Sequence, residues 1–215
     1  MRTLIWVVYL GGLCIAGLLG GRKAMTIYLV AGGLIITLFR RPLVLGLTRL
    51  SSRLGLMRGT IEKMPSAIVL TRAPAPADAA RPILAALAAA NFADAGAWNI
   101  VQMPKIQVAL MVQREDGMLA AVESASPIGA HVNLHTLYPD GRVVTFTNSE
   151  LPAPRTLRPN VQRTQLPRCP PDALVARARA ERPKTPFRSL SVDEAPHVYE
   201  HLYADEIRFR KTIGR

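Results

Sequence analysis

The chain has 215 residues, a formal net charge of +12, 49% hydrophobic residues and 20% charged residues. That hydrophobic fraction excludes a disordered chain, two cysteines exclude a disulfide scaffold or a cysteine-built zinc module, and 6% aromatics leave few stacking platforms for single-stranded nucleic acid. The charge is uneven: residues 1–63 hold nine Lys or Arg against one acid, a balance of +8, whereas residues 64–215 hold 18 against 14, only +4.

Residues 3–21 and 24–39 contain no charged side chain. As helices they would reach about 28 Å and about 24 Å against a hydrocarbon core of about 30 Å, which predicts a transmembrane helical hairpin over residues 1–41. Gly12, Ala16 and Gly20 recur every four residues on one face, and Gly32 and Gly33 offer a matching smooth patch. These five are the expected packing contacts of the hairpin, although ordinary glycine use in membrane helices explains the same pattern. A cleaved signal peptide is the rival for the first run; Arg22-Lys23 directly after it and the lack of a small-x-small cleavage site count against that. Cys14 reads as a small apolar residue. Basic residues flanking the spans concentrate on the side of Arg2 and Arg40, so the positive-inside rule predicts a two-span protein of a bacterial inner membrane with both termini cytoplasmic. The Ala- and Arg-rich composition agrees with a GC-rich bacterial genome.

Residues 42–63 form the next expected element, a basic amphipathic juxtamembrane segment. Leu43, Leu47, Leu50, Leu54, Met57 and Ile61 make one helical stripe. Arg40, Arg41, Arg49, Arg53, Arg58 and Lys63 are the expected contacts to anionic lipid headgroups, at about 1 kcal/mol each near the surface. The alternative is a helix packed on the following domain, and Gly46, Gly55 and Gly59 weaken a continuous helix in either case.

Residues 64–215 read as an α+β domain. Pro74, Pro76 and Pro82 mark a linker into a helix capped by Asp78 and running to about Ala90. The pattern then alternates: Ile106, Val108, Leu110 and Val112 share one side of a half-buried strand and Gln107, Ala109, Met111 and Gln113 the other. Glu115-Asp116-Gly117 and Pro139-Asp140-Gly141 both suit three-residue hairpin loops ending in a left-handed glycine. The second loop would pair Leu134 with Phe146, His135 with Thr145 and Asn133 with Thr147, matching apolar with apolar and polar with polar. The expectation is an antiparallel sheet of about four strands between Trp98 and Asn148, preceded by one helix and followed by C-terminal helices. Residues 149–171, with six prolines and four arginines, are either an extended strap burying Leu151, Leu157, Val161 and Leu166 or a polyproline segment for a partner; the strap is preferred. Cys169 has no assigned role. Asp172–Glu181 reads as a helix, and Ser191-Val-Asp-Glu194 has the spacing of a capping box opening the last one.

Two constellations could carry chemistry. His197-Val-Tyr-Glu200-His201 places two histidines one helical turn apart with a glutamate able to activate bound water, the inverted zinc-protease spacing, but a third ligand is lacking and an exposed helix face explains it as well. His131, Asn133 and His135 opposite Thr145 and Thr147 make a polar sheet face, either a ligand or metal site or the solvated side of the sheet. Neither supports a catalytic assignment, and no cofactor or metal is assigned. The expected function is a membrane-anchored interaction or accessory protein presenting a cytoplasmic α+β domain; the alternative is a membrane-tethered metal-dependent hydrolase using His197, Glu200 and His201. The expected partners are the lipid bilayer with its anionic headgroups and a protein partner or second copy of the chain, not nucleic acid, because the excess charge belongs to the first 63 residues.

Overall fold

The structure is a computed structural model that describes residue 46 and residues 63–126, 128–152 and 156–213. The chain divides into two compact units, Met1–Leu47 and Thr48–Arg215. Of the first unit only Gly46 is described, and it lies in a helix.

The second unit is built on one mixed sheet whose seven strands lie in sequence order: β1 (Leu70–Arg72), β2 (Ala93–Ile100), β3 (Ile106–Gln113), β4 (Met118–Ala125), β5 (Gly129–Leu137), β6 (Val143–Thr147) and β7 (Val161–Gln165). All neighbours are antiparallel except β7, which runs parallel to β6. Among the described residues of this unit three helices accompany them, α1 (Arg81–Ala89), α2 (Pro171–Glu181) and α3 (Ala195–Ile213). Their placement follows from the central strands, which are apolar on both sides. Ala109, Met111, Ala120, Val122 and Leu134 face α1 and α2 and bury Leu87, Leu174 and Val175 with them. Val108, Leu110, Val112, Leu119 and Ala121 face α3, meeting Ala195, Val198 and Tyr199. A strand with two apolar faces needs cover on both, and the result is three layers. Leu87, Leu110, Leu119 and Leu174 are fully buried, so truncating any of them to alanine costs about 2–5 kcal/mol.

Local signals behave as their chemistry requires. Leu134 pairs with Phe146, His135 with Thr145 and Asn133 with Thr147, and the Tyr138 N–H donates to the Arg142 carbonyl at 2.9 Å, closing the expected three-residue loop with Gly141 at φ +80°. The capping box forms: the Ser191 N–H donates to Glu194 Oε2 at 3.0 Å, and the Glu194 N–H returns to Ser191 Oγ at 3.3 Å. In β2 the chain bulges between Asp94 and Gly96, where Gly96 takes φ +96° and donates its N–H to Asp94 Oδ1.

Other expectations are corrected. The sheet is mixed and seven-stranded, not antiparallel and four-stranded, because the edges recruit short segments with weak patterns of their own: three residues at β1, and five at β7 taken from the proline-rich strap. The central strands β3 and β4 are covered on both faces, not half-buried. Asp78 caps nothing; it sits in a 3-10 turn (Asp78–Ala80) and pairs with Arg81 at 3.1 Å, while Ala80 holds the N-cap position of α1. The β3–β4 loop has four residues, since Gln113 pairs with Met118.

The largest correction concerns the membrane. Among the described residues no helix is long and apolar enough to cross one; the 19-residue α3, the longest, carries Glu200, Asp205, Glu206, Arg208, Arg210 and Lys211. The two-helix transmembrane hairpin and the inner-membrane placement with cytoplasmic termini are therefore withdrawn. The residues named for them, Gly12, Ala16, Gly20, Gly32, Gly33, Arg40, Arg41, Arg49, Arg53 and Arg58, lie outside the described residues, and Lys63 is exposed at their edge.

Candidate functional site

The α3 face of the sheet changes character from β3 to β7. Under β3 it is apolar, but toward the β7 edge it presents Glu123, His131, Asn133, His135, Thr145, Thr147 and Arg163. The helix lies over this polar layer, so the sheet face is not a solvated one: Asn133, Thr145 and Thr147 are buried. Glu123 is the hub. Its Oε1 accepts from Asn133 Nδ2 and from the Tyr199 hydroxyl, each at 3.0 Å, and its Oε2 lies 3.4 Å from His131 Nε2. Burial raises the Glu123 pKa, but the hydrogen bond and charge of His131, the Tyr199 hydrogen bond and the charge of His135 outweigh it, so the carboxyl sits below its ordinary value. Burial, aided by the Glu123 charge, pushes the Tyr199 phenol well up, so it stays a donor. Burial likewise lowers His135, to about 4 after opposing contributions from Glu123 and Arg163, and its Nδ1 sits 3.0 Å from Thr145 Oγ1. The Asn133 carbonyl oxygen, Arg163 Nε and the Tyr203 hydroxyl are buried without a partner among the described residues.

Where α3 leaves this layer, it forms one wall of a groove of about 470 Å³. Leu137, Val143, Val198 and Leu202 supply apolar surface; Arg158, Asn160, Arg188, Glu194, His197, His201 and Asp205 supply polar groups. Several polar groups are braced. Asn160 Nδ2 donates to the Gly141 carbonyl at 2.6 Å, fixing the β5–β6 turn to the strap. Arg158 Nη1 meets Asp205 Oδ2 at 2.9 Å with Nε 3.8 Å from Glu206, and Arg188 Nη2 meets Glu194 Oε1 at 3.0 Å. His201 is exposed and has no hydrogen-bond partner among the described residues.

The zinc-protease spacing is thereby divided. His197 and His201 face the groove, whereas Glu200 Oε1 accepts the Leu70 N–H at 2.8 Å and ties β1 to α3. His197 Nδ1 lies 3.5 Å from Glu200 Oε2, and no group of three or more His, Cys, Asp or Glu among the described residues is placed to hold a metal ion. Cys169 is a free thiol, partly buried, on a loop whose backbone carbonyl accepts from Asn148 Nδ2 at 3.0 Å.

The hub glutamate was missed by sequence reasoning, and its signal lay in the β4–β5 loop. Ala125 pairs with Gly129 around residues 126–128, and counting outward brings Glu123 opposite His131. Arg158, Asn160 and Arg188 gave no such signal; their place depends on the path of the strap and on the segment entering α3. Compared with known proteins, the chain matches no family model, no curated protein and no solved structure.

Proposed function

We propose that this chain is an interaction or accessory protein whose α+β domain docks a segment of a partner protein in the groove between α3, the β5–β6 turn and the strap. The observation that carries this reading is the composition of the groove: an apolar floor of Leu137, Val143, Val198 and Leu202, rimmed by charges of both signs and by the exposed His197 and His201. A groove of about 470 Å³ lies within the range that accepts a few side chains of a peptide. Apolar anchors would supply affinity, and the paired rim charges would set register by exchanging partners with the bound segment. Arg188 and Glu194 are about half exposed, so their mutual pair contributes little on its own and is readily given up.

The test places a photo-crosslinking residue at position 201 of the full chain in its native cell. A discrete protein adduct is expected there, absent when the same residue stands at Arg177 on α2 and weakened several-fold by Arg188→Glu. Equal labelling at positions 201 and 177, or no adduct at 201, would overturn the reading.

A further inference from the structure

At the opposite end of β5, and on the opposite face of the sheet, lies a second cavity of about 490 Å³. It is built on a row of polar side chains across three strands, since Asn99 pairs with Gln107 and Gln107 with Ser124. Gln107 is fully committed. Its Oε1 accepts from the Ala77 N–H, and its Nε2 donates to the Ala75 carbonyl at 3.2 Å and to Asn99 Oδ1 at 3.3 Å. These bonds hold the segment before α1 as the cavity roof. They also orient Asn99: with its carbonyl oxygen occupied, its amide NH₂ is the group left to offer. Ser124 lines the wall, is only 7% exposed, and its hydroxyl has no partner among the described residues. An unpaired hydroxyl in a desolvated wall is costly unless something takes its hydrogen bond, and a serine reaches a new partner by turning about one bond. Lys105 stands exposed at the rim, and among the described residues no Asp or Glu lines the cavity.

An amide NH₂, a hydroxyl and an ammonium around one space are a donor set without a competing carboxylate. We infer that this cavity is a binding site for a small aliphatic oxyanion, a carboxylate or a phosphate ester. The remaining lining, including Ala77, Ala79, Pro104, Ala125 and Gly129, is small and non-aromatic, so it suits an aliphatic body and offers no stacking surface for a nucleobase. The site is independent of the groove on the α3 face.

The experiment uses isotopically labelled full-length chain, titrated with inorganic phosphate and with acetate at constant ionic strength against chloride. Saturable shifts are expected at the Asn99 side-chain amide and the Gly129 backbone amide, with dissociation constants in the millimolar range for such small probes. Lys105→Met should weaken binding at least about five-fold with unchanged thermal unfolding, because Lys105 is exposed, and Ser124→Ala about three-fold with thermal unfolding unchanged or raised, because the buried Ser124 hydroxyl has no partner among the described residues. Response to phosphate alone assigns a phosphate ester and response to acetate alone a carboxylate. The proposal is overturned if neither probe gives saturable shifts at these groups, if chloride gives the same shifts, or if both variants bind as the wild type does.

Discussion

The polar layer beneath α3 makes stability depend on single protonation events. His135 is neutral when folded because burial outweighs the attraction of Glu123, and its pKa of about 4 lies below the value near 6.5 of an unfolded chain. Between those values the unfolded chain binds the extra proton, so stability falls as pH drops from about 6.5 and levels off below about 4; the loss reaches on the order of 3 kcal/mol. Glu123 acts in the same direction at lower pH, since its folded pKa is depressed and its contribution disappears as the carboxylate is protonated. Urea unfolding between pH 7.5 and 4 should show this slope, and His135→Asn should remove most of it. An equal slope in the variant would place the proton elsewhere. The alternation of histidine, asparagine and histidine along residues 131–135 was visible in the sequence. That a helix would cover it was not, because α3 is separated from β5 by the strap and α2.

The elements are held by contacts at their ends as much as by their middles. The β3–β4 turn is clamped by the end of α2 and the residue that follows it: Arg179 Nε reaches Asp116 Oδ2 at 2.6 Å, Arg182 Nη2 reaches Asp116 Oδ1 at 2.8 Å, and the Arg182 guanidinium lies 4.7 Å from the Phe187 ring centroid. Gly117 closes this turn at φ +57°, and a Cβ added there would lie against the Phe187 ring and 2.8 Å from the Arg188 carbonyl oxygen. Gly117→Ala therefore combines left-handed strain with overpacking against backbone. A loss of about 2–4 kcal/mol is expected, a fall in melting temperature of about 5–15 °C by differential scanning calorimetry. Gly141 has φ +80° with open space around it, so Gly141→Ala should show the conformational part alone, about 1 kcal/mol. Both turns were legible as Asp-Gly sequences, but their unequal cost was not, because it depends on the Phe187 segment arriving from 70 residues away.

For the molecule as a whole, the sheet grades from a doubly covered centre to thin edges. Val108, Leu110, Leu119, Val122 and Val132 are fully buried, whereas β1 has only three residues, two of them exposed, paired with β2, and its Leu70 N–H donates to Glu200 Oε1. Hydrogen exchange should be slowest in β3, β4 and β5 and fastest in β1. Glu200→Ala should accelerate exchange over residues 70–72 and leave the centre unchanged; protection of β1 equal to that of β4, or central loosening in the variant, contradicts this grading.

Contacts between near neighbours in the chain were determined by the sequence itself. The β5–β6 register with its Gly141 turn, the helix at residues 171–181 and the Ser191–Glu194 capping box all arise within about fifteen residues, where period and turn chemistry leave one low-energy solution. Only the tertiary structure decided that β1 and β7 join the sheet, that α3 covers its polar face, and that Glu200 serves β1 while His197 and His201 line a groove. Short edge segments gain their stability from the strand they meet, and buried polar groups from partners far along the chain, so neither outcome is encoded in a local pattern.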